Sequence, residues 1–257
     1  MISCENLSVT LPGASGPVHV LDRVRFTVAA GEFVSVLGVS GAGKTTLLRV
    51  LGGLQEATAG RVSCAGTAVS GPPDGVVMVF QDYTHSLLPW RTVRRNVALG
   101  VERLDRSEKD GRVDEALAMV GLSDREREYP WRLSGGMQQR VQIARAIAMR
   151  PRVLLMDEPF GALDAMTKAS LQDQLLRVRE LTGTTIVFVT HDVEEAVYLS
   201  DRLVVLQGSP ANIGLTLDVP LPRPRDQVLT RERADYLELR HRVYEALGHR
   251  VGEQAHG

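Results

Sequence analysis

A glycine-rich segment between residues 38 and 46 has the most specific chemical spacing in the chain. It reads Gly38, Val39, Ser40, Gly41, Ala42, Gly43, Lys44, Thr45 and Thr46. Its first eight residues fit the pattern G-x-x-x-x-G-K-[ST], in which backbone N–H groups curl around phosphate oxygens at the start of a helix. Lys44 can reach the β- and γ-phosphates of a nucleotide, and the Thr45 hydroxyl can ligate Mg²⁺. The segment predicts a phosphate-binding loop, with a glycine turn that binds no ligand as the alternative.

Two adjacent carboxylates follow an apolar run later in the chain. Residues 153–156 are Val, Leu, Leu and Met, and Asp157 and Glu158 come next. Because neighbouring side chains on a strand point to opposite sides, one carboxylate can hold Mg²⁺ while the other faces an attacking water. We assign Asp157 to the metal and Glu158 to the role of general base. Alone, this pattern also fits the start of a solvated loop, but beside a phosphate loop it predicts nucleotide hydrolysis.

A third pattern covers residues 133–140, which read LSGGMQQR. Ser134 is a good helix N-cap, and Gly135 and Gly136 leave N–H groups at the helix start open to an anion. The simpler interpretation of this segment is a capped helix with no ligand.

The octapeptide closely resembles the signature of the ATP-binding-cassette (ABC) ATPases, and further segments agree with that family in order. Gln81 resembles the glutamine that senses Mg²⁺ and the permease, and residues 161–164 (GALD) resemble the loop that contacts the second subunit. His191 resembles the switch histidine that touches the γ-phosphate. The resemblance covers residues 2 to about 225.

The resemblance implies ATP and Mg²⁺ as cofactors. Its catalytic residues would be Glu158, His191 and Lys44. The metal ligands would be Thr45, Gln81 and Asp157. It also implies a head-to-tail dimer in which ATP lies between one copy's residues 38–46 and the segment Ser134, Gly135 and Gly136 of the other.

One departure from the family concerns the adenine. The family usually stacks an aromatic residue of the N-terminal strands on the base, yet residues 1–25 contain no Phe, Tyr or Trp. Leu11 stands about where that aromatic is expected, which predicts that adenine is held by apolar contact. His19 is a weaker candidate for contact with the base.

These residues require alternating strands and helices to position them. Apolar and β-branched runs predict strands over residues 2–9, 18–28, 32–37, 76–80, 153–156 and 185–189. Helical spacing predicts helices over 44–54, 113–120, 134–150, 168–181, 193–199 and about 230–247. We expect an α/β fold: a P-loop NTPase core with an N-terminal antiparallel β subdomain and a helical subdomain inserted at about 84–151. The ATPase domain would span 1–225, and residues 226–257 would form a C-terminal helical tail.

Charge balance, apolar runs and cysteine spacing indicate which partners and which cellular location to expect. The chain has 257 residues, 30 of them basic and 31 acidic, for a net charge of −1. That balance argues against a nucleic-acid partner. There is no signal-peptide pattern and no apolar run near the ~18 residues that span a bilayer. Cys4 and Cys64 have no disulfide or metal spacing, which suits a reducing compartment. We expect a peripheral protein on the cytoplasmic face of the inner membrane.

Two short stretches indicate a branch of the family. Residues 87–93 (LLPWRTV) and 221–225 (LPRPR) resemble the nitrate, sulfonate and taurine importers, although the second also reads as a proline-stiffened linker. The protein would then be the energy-coupling subunit of a bacterial importer, with transmembrane permease subunits and, indirectly, a substrate-binding protein as partners. Residues 82–90 would receive the permease's coupling helix.

Other functions stay open at this point. A thiamine-precursor importer or another small-solute importer would use the same ATPase. A soluble cassette ATPase that acts on DNA or ribosomes is less favoured, because such proteins usually carry two cassettes or a long coiled-coil insertion and this sequence shows neither. A P-loop kinase or GTPase is a third possibility, but the signature at 134–140 and His191 have no role in such enzymes.

Overall fold

The structure is a computed structural model that describes residues 1–82 and 86–248. The chain divides into two compact units. The first joins Met1–Asp74 to the segment from Thr185 onward, and the second is Gly75–Thr184.

Strands and helices alternate along the described chain. In order, the strands are β1 (Ile2–Gly13), β2 (Gly16–Val28), β3 (Phe33–Gly38), β4 (Ala59–Cys64), β5 (Thr67–Ala68), β6 (Val76–Val79), β7 (Val153–Asp157), β8 (Thr185–Val189), β9 (Arg202–Gly208) and β10 (Ala211–Asp218). The helices are α1 (Lys44–Leu51), α2 (Val93–Val97), α3 (Arg106–Met119), α4 (Gly135–Ala148), α5 (Ala165–Thr182), α6 (Val193–Leu199) and α7 (Ala234–Ala246). Short 3₁₀ turns cover Ala98–Val101, Ser123–Arg125 and Pro130–Arg132.

The sheet of the first unit combines antiparallel and parallel strands. Its order is β5-β4-β1-β2-β10-β9-β3-β8. The N-terminal strands β1, β2 and β4 pair antiparallel, whereas β3 pairs parallel with both β8 and β9. The predicted α/β fold with an N-terminal antiparallel β subdomain is therefore confirmed.

The core strands β3 and β8 are buried along their whole length. Their nearly continuous apolar sequences are typical of parallel strands that are covered on both faces. The rings of Phe33 and Phe188 lie 5.8 Å apart between these two strands. This burial gives the residues that follow each strand a rigid base.

Helix α1 ends at Leu51, three residues before the predicted bound of 54, and the two glycines that the sequence predicts to end it do so. Gly52 caps the helix and Gly53 has a φ of 68°, a left-handed conformation. A side chain at Gly53 would place its Cβ 2.0 Å from the carbonyl oxygen of Gly71. The close approach of a neighbouring loop thus ends the helix where the sequence has two glycines.

The second unit contains the parallel pair β6 and β7 and the helices α2 to α5. Within it, α4 packs against α2 and α3. Arg145 of α4 donates to the carbonyl oxygens of Ser86 and Asn96 at 2.7 and 3.0 Å and to Oδ1 of Asn96 at 2.8 Å. Because Asn96 is fully buried, these bonds fix the segment that leads into α2. The helical subdomain was predicted to begin at about 84, but residues 84 and 85 lie outside the described part.

Helix α6 is held at its C-terminal end by the segment that precedes the tail. Arg225 donates to the carbonyl oxygens of Tyr198 and Ser200 at 2.5 and 2.6 Å. Arg223 pairs with Asp201 at 2.7 Å. These cations meet the carbonyl end of a helix, where positive charge is favourable. Residues 221–225 are therefore more than a linker.

The tail helix α7 holds the other end of α6. Tyr236, which is fully buried, donates from its hydroxyl to Oε2 of Glu194 at 2.5 Å. Arg240 donates to Oε1 of the same carboxylate at 3.1 Å. The prediction that this helix begins near residue 230 was wrong, because Asp226 and Thr230 form a hydrogen-bonded turn before it. Residues 249–257 of the predicted tail lie outside the described part.

Four strands were not predicted, namely β4, β5, β9 and β10.

Across residues 1–82 and 86–248, no helix is both long and apolar enough to cross a membrane. Cys4 and Cys64 are both buried, and burial raises the pKa of the Cys4 thiol to about 12.

Candidate functional site

The glycine loop follows β3 directly and turns sharply into α1. Gly41 and Gly43 have φ angles of 82° and 79°, a region that L side chains seldom adopt. A side chain at Gly43 would also place its Cβ 2.8 Å from Val20 of β2. Ala42 donates its N–H to the carbonyl oxygen of Val39 at 3.1 Å, which closes the turn. The loop thus requires glycine at these two positions.

Lys44 is folded back against the loop. Its side chain is largely buried, and Nζ donates to the carbonyl oxygens of Gly38 and Val39 at 2.7 and 3.1 Å. Thr45 and Thr46 follow in the first turn of α1 and are half-buried, whereas Val39 and Ser40 are exposed. An ammonium at the start of a helix, beside open backbone N–H groups, can bind phosphate oxygens.

His191 lies at the same edge of the sheet as the glycine loop. Val36 of β3 pairs with Val189 of β8 in parallel register. Gly38 and His191 each follow this pair by two residues, so the two lie level at the carboxyl ends of neighbouring strands. This edge of a parallel sheet is where ligands bind in α/β folds.

The residues around His191 fix its backbone. Thr190 donates to the buried carboxylate of Glu195 at 2.6 Å. Asp192 caps α6 by accepting from the N–H groups of Glu194 and Glu195 at 2.9 and 3.2 Å. The His191 side chain itself is exposed.

In the second unit, Asp157 is the last residue of β7 and is only 3% exposed. Glu158 lies beyond the strand and has a φ of 44°, so the prediction that the two carboxylates alternate along one strand was wrong. A left-handed conformation costs a non-glycine residue about 1–2 kcal/mol. Gln81 donates from Nε2 to Oε2 of Glu158 at 3.1 Å. The structure thus brings Gln81 and Glu158 together.

Ser134 caps α4, as the sequence predicted. Its Oγ accepts from the N–H of Met137 at 3.3 Å. Gly135 and Gly136 form the first turn and are half-exposed. A Cβ at Gly136 would lie 3.2 Å from Leu163 and 3.3 Å from the carbonyl oxygen of Ala162. A larger residue at this position would press on the loop that precedes α5.

That loop, residues 161–164, is joined to α4 by a bond that the sequence analysis missed. Oε1 of Gln139, a buried residue, accepts from the N–H of Ala162 at 3.2 Å. Asp164 caps α5, and the N–H of Thr167 holds the pKa of its carboxyl below the usual range. A buried amide side chain within a helix was the available signal, because such groups require partners.

Of the two residues expected near the adenine, Leu11 is aliphatic and His19 already has a hydrogen-bond partner. Leu11 is half-buried and pairs with Val18 between β1 and β2. His19 shares a hydrogen bond of 3.0 Å between its Nδ1 and the hydroxyl of Thr10.

The side chains of the predicted metal ligands have donor atoms that fit Mg²⁺. The predicted metal ligands offer hydroxyl, amide and carboxylate oxygens, which Mg²⁺ prefers. Among residues 1–82 and 86–248, no group of three or more His, Cys, Asp or Glu side chains could hold a metal ion.

Comparisons with known proteins point to one family. The family described as "ABC transporter" matches residues 21–161. The nitrate import ATP-binding protein NrtC of Synechococcus elongatus is 46% identical over 91% of this chain, which spans only 36% of that relative. The bicarbonate transport ATP-binding protein CmpD of Synechocystis is 43% identical, with 97% of this chain and 89% of that protein covered. The nitrate transport protein NasD of Klebsiella oxytoca is 42% identical, with 95% and 94% covered.

The fold of this chain is also similar to that of a solved ATP-binding cassette. The ATP-binding cassette MJ0796, in a dimeric post-hydrolysis state bound to ADP and Pi, matches with a TM-score of 0.77 and 31% identity. The match covers 85% of this chain and 99% of that one.

Proposed function

Because this chain belongs to the ABC transporter family, we propose that it is the ATP-hydrolysing, energy-coupling subunit of an importer for a small oxyanion. The observation that carries the ATPase role is the position of Lys44. Its ammonium lies 2.7 Å from the carbonyl oxygen of Gly38, within a loop whose glycines adopt left-handed conformations, at the sheet edge that also carries His191.

Each residue has a distinct role toward the nucleotide. The N–H groups of residues 38–46 and the Lys44 ammonium bind the phosphates. Asp157, Gln81 and Thr45 are the residues that would hold Mg²⁺, and the ion would supply neutralisation of charge on the phosphate oxygens.

Hydrolysis needs a base for the attacking water. Glu158 accepts a proton from that water as its oxygen bonds to the γ-phosphorus, and ADP leaves with the electron pair of the broken P–O bond. Gln81, bonded to Oε2 of Glu158 at 3.1 Å, orients the carboxylate. His191 contacts the γ-phosphate, so it registers whether ATP or ADP is bound.

The partners follow from the family. A second copy binds head to tail in the presence of ATP, and its Ser134, Gly135 and Gly136 face the γ-phosphate. Permease subunits hold the protein at the cytoplasmic face of the membrane. Their coupling helix meets residues 82–90, of which 83–85 lie outside the described part. A neighbouring groove of about 940 Å³, lined by Trp90, Arg91 and Arg95 among others, adjoins this stretch.

The solute class rests on the relatives. Nitrate and bicarbonate, which their names specify, are small oxyanions with one negative charge. Taurine, alkanesulfonates and thiamine precursors are the alternatives within related importers. The permease and binding protein, rather than this chain, contact the solute.

A deletion strain tests this function. We expect slow growth when nitrate is the sole nitrogen source or when bicarbonate is the limiting carbon source. The gene encoding the intact chain should restore growth, and the Lys44→Ala variant should not. A defect confined to taurine, an alkanesulfonate or a thiamine precursor would reassign the solute and keep the ATPase role. Purified protein without Mg²⁺-dependent ATP hydrolysis would contradict the ATPase role.

A further inference from the structure

Two aromatic side chains stack on the surface of the second unit, shortly before the start of α4. The ring centroids of Tyr129 and Trp131 lie 4.5 Å apart, and the ring planes meet at only 15°. Trp131 is 63% exposed although it is the larger ring. Because Tyr129 covers one face of the indole, the exposed area belongs to the rest of the ring, including its other face. An accessible aromatic face is the kind of surface on which a nucleobase stacks.

The backbone turn that carries Trp131 is held against α4. The 3₁₀ turn that carries it, Pro130–Arg132, is closed by the N–H of Leu133, which donates to Pro130 at 3.0 Å. Gln138 of α4 donates from Nε2 to the carbonyl oxygens of Pro130 and Leu133 at 3.1 and 3.3 Å. The backbone of the turn that carries Trp131 is therefore hydrogen-bonded to α4, directly before the cap at Ser134.

The N-terminal strands beside the glycine loop carry no Phe, Tyr or Trp before Phe26. Gly43 lies directly against Val20 and Leu21 of β2, so a base extending from the bound phosphates meets the N-terminal strands. The side chains there, such as Leu11 and Val18, are aliphatic. Phe26, the first aromatic residue of the chain, is buried at 7% exposure. Residues 1–25 contain no Phe, Tyr or Trp, and their one imidazole, that of His19, already shares a hydrogen bond with Thr10.

We propose that Trp131 of each copy covers the adenine of the ATP bound by the glycine loop of the other copy. This inference rests on the proposed function, in which Ser134 and its neighbours face the partner's nucleotide. The stacked indole supplies from the second copy the large flat surface that the aliphatic side chains of β1 and β2 do not offer. ATP then joins the copies at two points, its γ-phosphate and its base.

The physics of stacking sets the expected effect. Stacking of a base on an aromatic side chain is worth about 1–3 kcal/mol, a factor of about 5 to 150 in an equilibrium constant. Because the ring belongs to the other copy, this energy contributes to ATP-dependent dimerisation and not to ATP binding by one copy. Stacking tolerates any base, so GTP should support dimerisation nearly as well.

The experiment measures dimerisation and ATP binding separately. In the Glu158→Gln background, which slows turnover, the dimer dissociation constant is measured by sedimentation with saturating Mg²⁺ and ATP. Because the symmetric dimer loses two such contacts, we expect Trp131→Ala to raise it at least about 25-fold. The ATP affinity of one copy, measured at protein concentrations too low for dimerisation, should not change. Trp131→Phe should keep most of the effect and Trp131→Leu should lose it, because a ring rather than bulk is needed.

A fluorescence measurement gives a second readout. With Trp90→Phe also introduced, Trp131 is the remaining tryptophan, and its emission should change on adding ATP only as dimer forms. Leu181→Ala, which removes an exposed apolar side chain of the same unit, is the matched control for dimerisation.

The outcomes separate the two proposals. If the Glu158→Gln parent does not dimerise with ATP, both the proposed dimer and this inference are wrong. If the parent dimerises and Trp131→Ala dimerises equally well, only the inference is wrong. If Trp131→Ala lowers the ATP affinity of a single copy as much as it weakens the dimer, Trp131 contacts the nucleotide of its own copy. That result would also overturn the inference.

Discussion

Gln81 donates a hydrogen bond from Nε2 to Oε2 of Glu158 at 3.1 Å, although the two residues are 77 positions apart. The parallel register of β6 and β7 explains the contact. Val79 pairs with Met156, and Gln81 and Glu158 each follow that pair by two residues. Any change that shifts this pair of strands would separate the proposed base from the residue that orients it.

Replacement of the proposed base should stop turnover and keep ATP binding. We expect Glu158→Gln to slow hydrolysis by about 10²–10⁴-fold, because a positioned general base is lost. Without turnover the two copies should stay together, giving an ATP-dependent dimer on size exclusion. Glu232→Gln, at an exposed carboxylate on the tail, is the matched control. Hydrolysis near the wild-type rate in Glu158→Gln would remove Glu158 from this role.

The left-handed backbone at Glu158 predicts a difference between two inactive variants. Glu158→Gly and Glu158→Val both remove the carboxylate and its bond to Gln81. Glycine adopts a φ of 44° without strain, whereas a β-branched side chain is strongly disfavoured there. We expect urea denaturation to show that the valine variant is less stable by about 1–3 kcal/mol. Equal free energies of unfolding would mean that the local backbone relaxes without cost.

Ser134 and Lys44 should differ in which step they affect. Ser134→Arg should leave nucleotide binding by one copy largely intact and should block dimerisation and turnover, because a bulky cation then occupies the start of α4. Lys44→Ala should lose ATP binding by the single copy. Equilibrium binding of ATP to dilute protein, followed by size exclusion at high concentration, distinguishes the two. If both variants lose ATP affinity equally, Ser134 belongs to the site of its own copy.

An aromatic residue at position 11 should improve base binding. Leu11→Tyr would add a ring to β1, and stacking on a base is worth about 1–3 kcal/mol. We therefore expect tighter ATP binding by single copies, together with weak discrimination between ATP and GTP in the wild type. Leu11→Ile, which adds no ring, is the control. Strong ATP selectivity in the wild type would mean that another group makes hydrogen bonds with the base.

The buried Tyr236 hydroxyl should contribute to stability in a pH-dependent way. Tyr236→Phe should lower the free energy of unfolding at neutral pH by about 1.5–3 kcal/mol, the range for hydrogen bonds to charged groups. Burial, followed by the hydrogen bond with Glu194, raises the pKa of the phenol. Because the folded pKa lies above the unfolded value of about 10, the protonated phenol contributes its full stability below pH 10. This contribution decreases as the pH rises from the unfolded pKa towards the folded one. Chemical denaturation at pH 7 and above pH 10 should show the two proteins converging; a constant difference would contradict this assignment.

The sequence predicted best the features that depend on local pattern. The continuous apolar runs of β3 and β8 were located within a residue or two, and Ser134 was identified as the cap of α4. The apolar run Leu203–Leu206 in β9 carried the same kind of signal and was overlooked. The positive φ of Glu158 could not be predicted, because a non-glycine residue adopts it only when tertiary contacts impose it.

Contacts between distant residues were also beyond the sequence. The bond of Gln139 to Ala162 and that of Gln81 to Glu158 depend on which elements lie side by side. Side-chain chemistry showed that these glutamines need partners once buried or placed at a site. It could not show which backbone or carboxylate would supply them.

The divided first unit has a consequence for synthesis on the ribosome. β3 is complete at Gly38, but its parallel neighbour β8 begins only at Thr185, which is 185 − 38 = 147 residues later. At translation rates of about 5–20 residues per second, β3 waits roughly 7–30 s for that neighbour. All six of its residues are apolar or buried in the folded protein, so the nascent chain displays an aggregation-prone strand throughout this interval. The second unit, Gly75–Thr184, is continuous in sequence and is therefore fully synthesised before β8 begins.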